Sequence, residues 1–229
     1  MPAILRTRLL VPAVVALVAT AGLASPAAGQ SLYGGVGNAG LFAGYGHRYG
    51  DTLGARAEVS WLPTVGRTFS ENGIDYSGDV KSLRLAALGD WHPFRGTFRL
   101  SVGLSGGRSS GSFSGAPATG SSITIGGSTV TVGPADRYDV KAELPSVMPY
   151  VGLGWGHSVA KGWGLTADVG VLIGSPSVTG TLSPSLRAKI SATGRDPDAE
   201  LERELQTVRD TAAKFDVLPV LSLGLSYRW

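Results

Sequence analysis

The sequence predicts an all-β fold: an eight-stranded antiparallel transmembrane β-barrel with long extracellular loops, one of which carries a short helix. Apolar residues alternate with small or polar residues near the C-terminus, where Leu221, Leu223, Leu225 and Tyr227 share one face of a strand. The chain is 43% hydrophobic and 16% charged, yet beyond the N-terminus it lacks the run of about 18 apolar residues that marks a membrane-spanning helix. Loop lengths also alternate between short and long, as they do in outer-membrane barrels.

The last strand is the element from which the barrel is predicted. A strand that ends the chain has no later partner, and pairing it with the first strand closes a barrel and removes both sheet edges. An outward apolar band that finishes in interfacial aromatic residues is typical of a transmembrane β-strand. We therefore expect the domain of residues 30–229 to lie in the bacterial outer membrane, in contact with its lipid.

Residues 1–29 have the pattern of a signal peptide. Arg6 and Arg8 precede an apolar stretch at 9–23, and the small residues 27–29 form a cleavage site, while Pro12 interrupts the stretch and argues against an anchoring helix. Its removal deletes two Arg and no acidic residue, which leaves 18 basic residues against 17 acidic ones. This near balance gives no case for nucleic-acid binding. The chain has no Cys, which excludes disulfides and thiolate metal sites.

Eight strands are predicted from the alternation of apolar and polar residues. In the third, Ala55, Ala57 and Val59 oppose Arg56 and Glu58. The predicted strands span residues 31–37, 41–48, 53–62, 80–91, 97–107, 147–156, 162–178 and 215–229. Long connections are expected at 63–79, 108–145 and 179–214, and the other links are short. With both termini in the periplasm, the long connections face outward from the cell.

Two of the long connections are expected to contain regular structure. Gly126-Gly127 predicts a small hairpin at 123–132. The third long loop carries the only predicted helix, at 197–213, which begins after the capping residue Asp196 and has Pro197 in its first turn. The apolar stripe of this helix favours packing over the barrel mouth as a lid; binding of a partner and contact with the outer leaflet are the alternatives.

An aromatic girdle follows from the predicted strand directions. The residues fall on apolar faces near strand ends that meet the short turns or the C-terminus, so they are expected at the periplasmic interface. They are Tyr45, Trp91, Phe98, Trp155, Trp163, Tyr227 and Trp229. Trp61 alone marks the outer rim. A soluble β-sandwich has no reason to gather its aromatic residues at one end.

The opposite faces of the strands place charged residues inside the barrel. The expected lumen-lining residues are Arg56, Glu58, Arg84, Asp90, Arg99, Asp168, Asp216 and Arg228. Buried charges persist when they are paired, and an eight-stranded barrel is just wide enough for its own side chains. The set therefore predicts either a structural ion-pair network or a narrow path for a small zwitterionic solute, and excludes a wide pore.

No catalytic or metal site is predicted, no cofactor is expected, and the chain is not expected to be an enzyme. The three histidines, His47, His92 and His157, fall at periplasmic strand ends or turns and are expected to join the interfacial belt. Their positions do not suit a nucleophile and base at the outer face, and no His/Glu spacing suggests a metal. Glycine-rich strings such as 152–156 lack the strand-to-helix context of a nucleotide loop and are expected to fill a crowded lumen.

The sequence also resembles the carbapenem-susceptibility, or ornithine-uptake, porin family of small outer-membrane barrels. The similar segments are 54–59, 149–154, 161–164, 168–178 and the helix-bearing loop that leads to an aromatic terminus. Segments 90–94 and 96–100 resemble many outer-membrane barrels of similar size. The resemblance implies an eight-stranded barrel, uptake of small basic or zwitterionic amino acids, and recognition of the C-terminal strand by the barrel-assembly machinery.

The function predicted from these observations is that of a narrow, porin-like channel for small polar or basic amino-acid-like solutes. The alternative is a non-transporting structural or adhesion barrel whose extracellular loops bind a partner. The first predicts conductance that is sensitive to Arg56 and Arg84, and the second predicts loss of binding when loop 108–145 is trimmed.

Overall fold

The computed structural model describes residues 29–71, 74–156, 161–212 and 216–229. These residues form twelve strands and two helices. The strands are β1 (Gln30–Gly37), β2 (Gly40–Tyr49), β3 (Leu53–Glu71), β4 (Ile74–Trp91), β5 (Phe98–Pro117), β6 (Ser122–Ile125), β7 (Ser128–Thr131), β8 (Tyr138–Glu143), β9 (Val147–Trp155), β10 (Gly162–Ile173), β11 (Ser177–Leu182) and β12 (Val217–Arg228). The helices are α1 (Pro184–Ala192) and α2 (Pro197–Ala212). The predicted signal peptide lies outside the described residues, apart from Gly29.

Eight strands close into an antiparallel ring in the order β1-β2-β3-β4-β5-β9-β10-β12. The ring closes where β12 pairs with β1, with Tyr33 opposite Ser226, and β5 pairs directly with β9. The turn from β1 to β2 needs Gly40, whose φ is +100°, and Asn38 in that turn donates to the Pro219 carbonyl of β12 at 2.7 Å. The predicted eight-stranded antiparallel barrel, closed by its last strand, is confirmed.

The outer surface of the ring is apolar. Leu221, Leu223 and Leu225 of β12 are exposed, and on the neighbouring β10 Trp163 and Leu165 are 77% and 71% exposed. Large exposed apolar residues recur on the other strands of the ring, among them Leu53, Leu85 and Val102. The alternate residues of the same strands turn inward, because successive side chains of a strand point to opposite faces.

One end of the ring has short turns and the other has long connections, which we call the short-turn end and the long-loop end. At the long-loop end, β3, β4 and β5 run past the ring, with an irregularity in the β3–β4 register between Leu62 and Val65. β8 pairs with this extension of β5, and β11 pairs with β8. The result is a five-stranded outer sheet in the order β3-β4-β5-β8-β11.

This outer sheet corrects the predicted loops. Much of the expected loops at 63–79 and 108–145 is strand, because β3 continues to Glu71, β4 starts at Ile74, and β5 continues to Pro117. The seventh predicted strand, 162–178, is interrupted after Ile173, and β11 follows as a separate strand of the outer sheet. These segments form strands because neighbouring strands supply their backbone hydrogen bonds. The Gly/Ser-rich sequence of the segments has little β-propensity of its own.

The helices and the β6–β7 hairpin form a small unit, which we call the outer unit, with its own apolar cluster beside the outer sheet. Ile125 and Val130 of the hairpin pack with Leu182, Leu186 and Ile190. The predicted hairpin is confirmed, as is the helix that follows Asp196, whose Oδ1 accepts from the Asp198 backbone at 2.9 Å. Helix α1 was not expected. Within the described residues, neither helix is long and apolar enough to cross a membrane.

Helix α2 packs against β11, β6 and α1. Arg209 Nε donates to the Val178 carbonyl of β11 at 3.0 Å, and a methyl group at Gly180 of the same strand would touch Leu205 of the helix. The helix was expected as a lid on the barrel mouth, but it packs on β11 of the outer sheet and on β6 of the hairpin, neither of which belongs to the ring.

Candidate functional site

A cluster of two arginines and two aspartates lies inside the ring, contributed by β3, β4, β5 and β10. Arg56 Nε lies 2.6 Å from Asp90 Oδ2, and Arg56 Nη2 lies 3.3 Å from Asp168 Oδ1. Arg99 Nη2 donates to both carboxylate oxygens of Asp168, at 2.7 Å each. All four side chains are buried. The formal charges cancel, which is the condition under which charges persist away from water.

Neutral side chains complete the cluster. Ser101 donates to Asp90 Oδ1 at 2.6 Å and accepts from Arg56 Nη2 at 3.1 Å. Thr166 accepts from Arg99 Nη2 at 3.2 Å, and the guanidinium of Arg56 lies 5.6 Å from the centroid of the Tyr33 ring, within range for a cation–π contact. We refer to Arg56, Asp90, Arg99 and Asp168, with these neighbours, as the lumen cluster.

The lumen cluster keeps unused hydrogen-bond donors. Nη1 of Arg56 and both Nε and Nη1 of Arg99 are buried without an acceptor among the described residues. A buried donor without a partner costs about 1–3 kcal/mol. Water or the oxygen atoms of a solute would relieve that cost.

Two cavities adjoin the lumen cluster, one on each side. The cavity towards the long-loop end measures about 60 Å³ and is lined by Glu58, Ser60, Arg84 and Asp168 among others. The cavity towards the short-turn end measures about 20 Å³ and is lined by Arg48, Asp90, His92 and others. Arg56 lines both. Its side chain therefore forms part of the partition between them.

Arg84 is buried away from the lumen cluster and is held by neutral oxygen atoms. Its Nε donates to Ser105 Oγ at 3.0 Å, and its Nη2 to the Ser105 carbonyl at 3.0 Å. Both Nη atoms reach the carbonyl of Pro145 at 3.2 Å. Arg84 thus ties β4 and β5 to the chain segment that enters β9, at the long-loop end of the ring.

The other three residues predicted to line the lumen have different positions. Glu58 is half-buried and lines the larger cavity. Arg228 is half-buried and lines the smaller one. Asp216 is exposed and precedes β12, so the structure does not bring it into the lumen cluster.

Two tyrosines lie against the inner wall over glycines. A methyl group added at Gly44 would overlap the ring of Tyr33, which is its cross-strand neighbour. Methyl groups at Gly152 and Gly170 would likewise overlap Tyr150. The absence of side chains at these positions lets both rings lie against the wall beside the lumen cluster, which leaves room for the cavities.

The predicted girdle residues lie near one end of the ring. Trp91, Phe98 and Trp155 are at strand termini that meet the short-turn end, and Trp163 and Tyr227 are opposite each other on β10 and β12. The rings of Phe98 and Trp155 have centroids 5.4 Å apart, and those of Trp163 and Tyr227 are 5.1 Å apart. Tyr45 and Trp229 are half-buried, and Trp229 Nε1 donates to Gln30 at 3.3 Å. Exposed Tyr49 and Phe94, which the prediction did not include, lie at the same end.

The histidines do not share one environment. His47 is half-buried, with its ring 4.5 Å from that of Tyr49. His157 lies outside the described residues. His92 was expected in the interfacial belt, but it is only 2% exposed and lines the smaller cavity. Period-two alternation ends with β4 at Trp91, so it does not determine where the side chain of the next residue points. Among the described residues, no cluster of three or more potential ligands could hold a metal.

Two solved structures share this fold. The crystal structure of Acinetobacter baumannii CarO2 aligns with a TM-score of 0.56 and 18% identity, over 88% of this chain and 97% of that one. The crystal structure of A. baumannii CarO aligns with a TM-score of 0.51 and 13% identity, again over 88% of this chain and 97% of that one. No model of a protein family matches the sequence, and no curated protein matches it. The resemblance predicted from the sequence is confirmed for the fold.

Proposed function

We propose that the chain is an outer-membrane barrel that conducts small polar solutes, basic or amino-acid-like, through a narrow lumen. The observation that carries the proposal is the position of Arg56, which lines both cavities and pairs with Asp90 and Asp168 between them. In this arrangement the cavities are small and the lumen cluster separates them. A solute passes when the side chain of Arg56 moves.

The outer surface supports the membrane location. The apolar exterior of the ring would be covered by lipid, and the aromatic residues at the short-turn end would lie at the interface, as in known outer-membrane barrels. The fold likeness to CarO2 is consistent with that location. The C-terminal strand would then present Tyr227 and Trp229 to the barrel-assembly machinery.

The composition of the lumen cluster favours solutes that carry both charges. If Arg56 leaves Asp90 and Asp168, an ammonium group takes its place beside the carboxylates, while a carboxylate accepts from the unused donors of Arg56 and Arg99. A neutral solute offers no such exchange, and separating a buried ion pair costs about 3–5 kcal/mol. If a neutral solute must bear this cost and a zwitterion does not, the zwitterion passes faster by a factor on the order of a hundred or more.

Liposome swelling with matched solutes tests this selectivity. Proteoliposomes with the refolded protein are expected to admit glycine and ornithine faster than a neutral polyol of similar size. Arg84→Ala is expected to speed the entry of all of them, because Arg84 ties the chain across the long-loop end of the larger cavity. Arg187→Ala removes an exposed arginine from α1 and should change nothing. Equal entry rates for zwitterions and the polyol would contradict the proposal.

A second candidate function is supported by the outer unit. The hairpin, α1 and α2 have an apolar cluster of their own and ion pairs such as Arg187–Asp198, at 2.6 Å, which the ring does not need for closure. A non-transporting barrel would use this unit to bind a partner. Deleting residues 121–132 removes the hairpin and leaves the ring strands intact. Loss of surface binding in that variant, with no conductance in the wild type, would favour the second function over the first.

The proposal is non-enzymatic. The described histidines lie at the short-turn end, one half-buried against Tyr49 and one buried in the smaller cavity, and no step of the proposed transport requires chemistry at either. The solute selectivity of the proposed transport depends on charge exchange in the lumen cluster.

A further inference from the structure

The smaller cavity is lined by Arg48 and His92, neither of which belongs to the lumen cluster. It lies between the lumen cluster and the short-turn end and measures about 20 Å³. We propose that this cavity binds a small monovalent anion, a halide or the carboxylate of a solute, between Arg48 and His92. The inference concerns equilibrium binding and does not depend on transport.

Arg48 is the first element of the site. It is 8% exposed, and its Nη atoms donate to the backbone carbonyls of Asp51, Arg95 and Gly96. These acceptors are neutral, and no ion pair with a carboxylate is found for Arg48 among the described residues. Its Nε is buried without an acceptor there. A guanidinium keeps its charge when it is buried. Among the described residues the Asp51 carboxylate acts on Arg48 electrostatically but forms no ion pair with it, so a small anion would supply a close counter-charge and the missing acceptor.

His92 is the second element. Both of its ring nitrogens are buried without a hydrogen-bond partner among the described residues, although a neutral imidazole has one donor and one acceptor to satisfy. Burial, followed by the charge of Arg48, lowers the pKa of His92 to about 4. An anion would accept from the ring N–H and would also offset the positive charges that disfavour protonation.

The surroundings of His92 are predominantly basic. Asp90 is the one carboxylate among the described residues that line the cavity, and it is engaged by Arg56 and Ser101. The titratable and charged groups that act on the imidazole or share its cavity are His47 and Arg48 of β2, Arg56 of β3, Asp90 of β4, Arg99 of β5 and Arg228 of β12. Asp90 and Asp168 offset the charges of Arg56 and Arg99 in the lumen cluster, so the positive charge that favours an anion over a cation is that of Arg48, with Arg228 also in the cavity lining.

The size of the cavity limits the ligand. A cavity needs about 10–15 Å³ to hold one water, so the volume of about 20 Å³ accommodates one group of the size of chloride or a carboxylate end. Gluconate is too large to enter and therefore serves as the inert counter-anion.

Linkage gives a test that needs only the folded barrel. An anion that binds beside His92 must raise the pKa of that ring, and protonation of the ring must tighten anion binding by the same factor. The ring signals of the refolded protein in detergent micelles would be titrated with acid, in sodium chloride and in sodium gluconate of equal ionic strength. His92→Gln assigns the signal. The pKa of His92 is expected to be at least half a unit higher in chloride, which corresponds to about threefold tighter binding on protonation.

Variants separate a specific site from a general salt effect. Arg48→Gln and Arg228→Gln each remove a cation from the wall of the cavity and are expected to reduce the chloride-dependent shift. Arg187→Gln is the matched control in the outer unit and should retain it. Equal pKa values in chloride and gluconate, or an undiminished shift in both cavity variants, would overturn the proposal. Since Arg48 also holds the turn at 50–52, Arg228→Gln keeps the test decisive if Arg48→Gln does not refold.

A trifluoroacetate series identifies the source of the anion, because this carboxylate stays ionised at the pH where His92 titrates. A shift in chloride and in trifluoroacetate shows that the site accepts a carboxylate, and hence the carboxylate end of a solute. A shift in chloride alone assigns a halide site. A channel that is silent in bilayers leaves this measurement intact, so failure of the proposed function and failure of this inference are distinguishable.

Discussion

The stability of the ring is expected to depend on Arg99 more than on any exposed arginine. Arg99 is fully buried and holds both oxygens of Asp168 at 2.7 Å. In Arg99→Met, Asp168 retains only the longer contact of 3.3 Å to Arg56, which Asp90 already engages at 2.6 Å. The lumen cluster then carries one uncompensated negative charge. Removing one partner of a buried ion pair costs about 3–5 kcal/mol, so we expect the free energy of unfolding to fall by that amount.

Urea unfolding of the refolded protein in micelles, followed by the fluorescence of its five Trp, measures this loss. The control is Arg187→Met, because Arg187 and Asp198 form an exposed pair of similar length, 2.6 Å, and exposed pairs contribute little. Its unfolding midpoint should equal that of the wild type. Indistinguishable midpoints for Arg99→Met and Arg187→Met would refute the argument that the lumen cluster stabilises the ring by charge pairing.

A double variant distinguishes charge balance from packing. Asp168→Asn in the Arg99→Met background restores neutrality within the lumen cluster while it leaves the altered packing in place. We expect the double variant to be more stable than Arg99→Met alone, with a coupling well above the few tenths of a kcal/mol found for independent sites. A double variant that is less stable than either single variant would assign the loss to packing.

Three further outcomes follow from the same structure. Gly170→Ala should destabilise the barrel by about 1–3 kcal/mol in urea unfolding, as overpacking does, because the new methyl overlaps Tyr150. The same change should cost less in a Tyr150→Ala background, where the ring is no longer there to overlap. The pKa of His92 is lowered from 6.5 to about 4 in the folded protein, so the unfolded chain binds the proton more tightly. As the pH falls from 6.5 to 4 in gluconate, the free energy of unfolding should therefore decline by up to about 3 kcal/mol. His92→Gln should lack this decline. Changing Tyr227 and Trp229 to Ser should reduce membrane insertion, scored by the fraction of heat-modifiable protein, and normal insertion would show that the terminal aromatics are dispensable.

The ring itself was accessible from the sequence because one physical signal repeats in every strand. Apolar residues at every second position fix which side chains face outward, and the inward position of Arg56 or Arg99 then follows from parity. Closure of the ring is seen directly in the pairing of β12 with β1. Parity does not say which charges meet, since that depends on register and on the distance across the ring. The contact of Arg56 with Asp168 across the lumen therefore had to come from the structure.

The outer sheet was missed because its strands lack that signal. Residues 108–117 of β5 are rich in Gly and Ser, and pairing with β4 and β8 keeps them extended. Helix α1 did have a local signal: Ser183 accepts from the Leu186 backbone as an N-cap, Pro184 occupies the first turn, and Leu186 and Ile190 are one turn apart. Two apolar residues one turn apart are too short a repeat to indicate a helix by spacing alone.

The hydrogen bonds of Arg48 could not be predicted from the sequence, for a different reason. Parity places it inside the ring, but its bonds to the carbonyls of residues 51, 95 and 96 depend on two turns that come together only in the closed barrel. The site that we infer beside His92 was invisible in the sequence for the same reason.

Single-channel conductance of Arg56→Ala in planar bilayers shows whether Arg56 separates the two cavities of a conducting barrel. We expect small discrete steps for the wild type, larger steps for Arg56→Ala because the cavities join, and a shift towards cation selectivity because Asp90 and Asp168 outnumber the remaining Arg99. Arg187→Ala should match the wild type. Folded barrels that are silent in both the wild type and Arg56→Ala, or steps that Arg56→Ala leaves unchanged, would contradict this expectation.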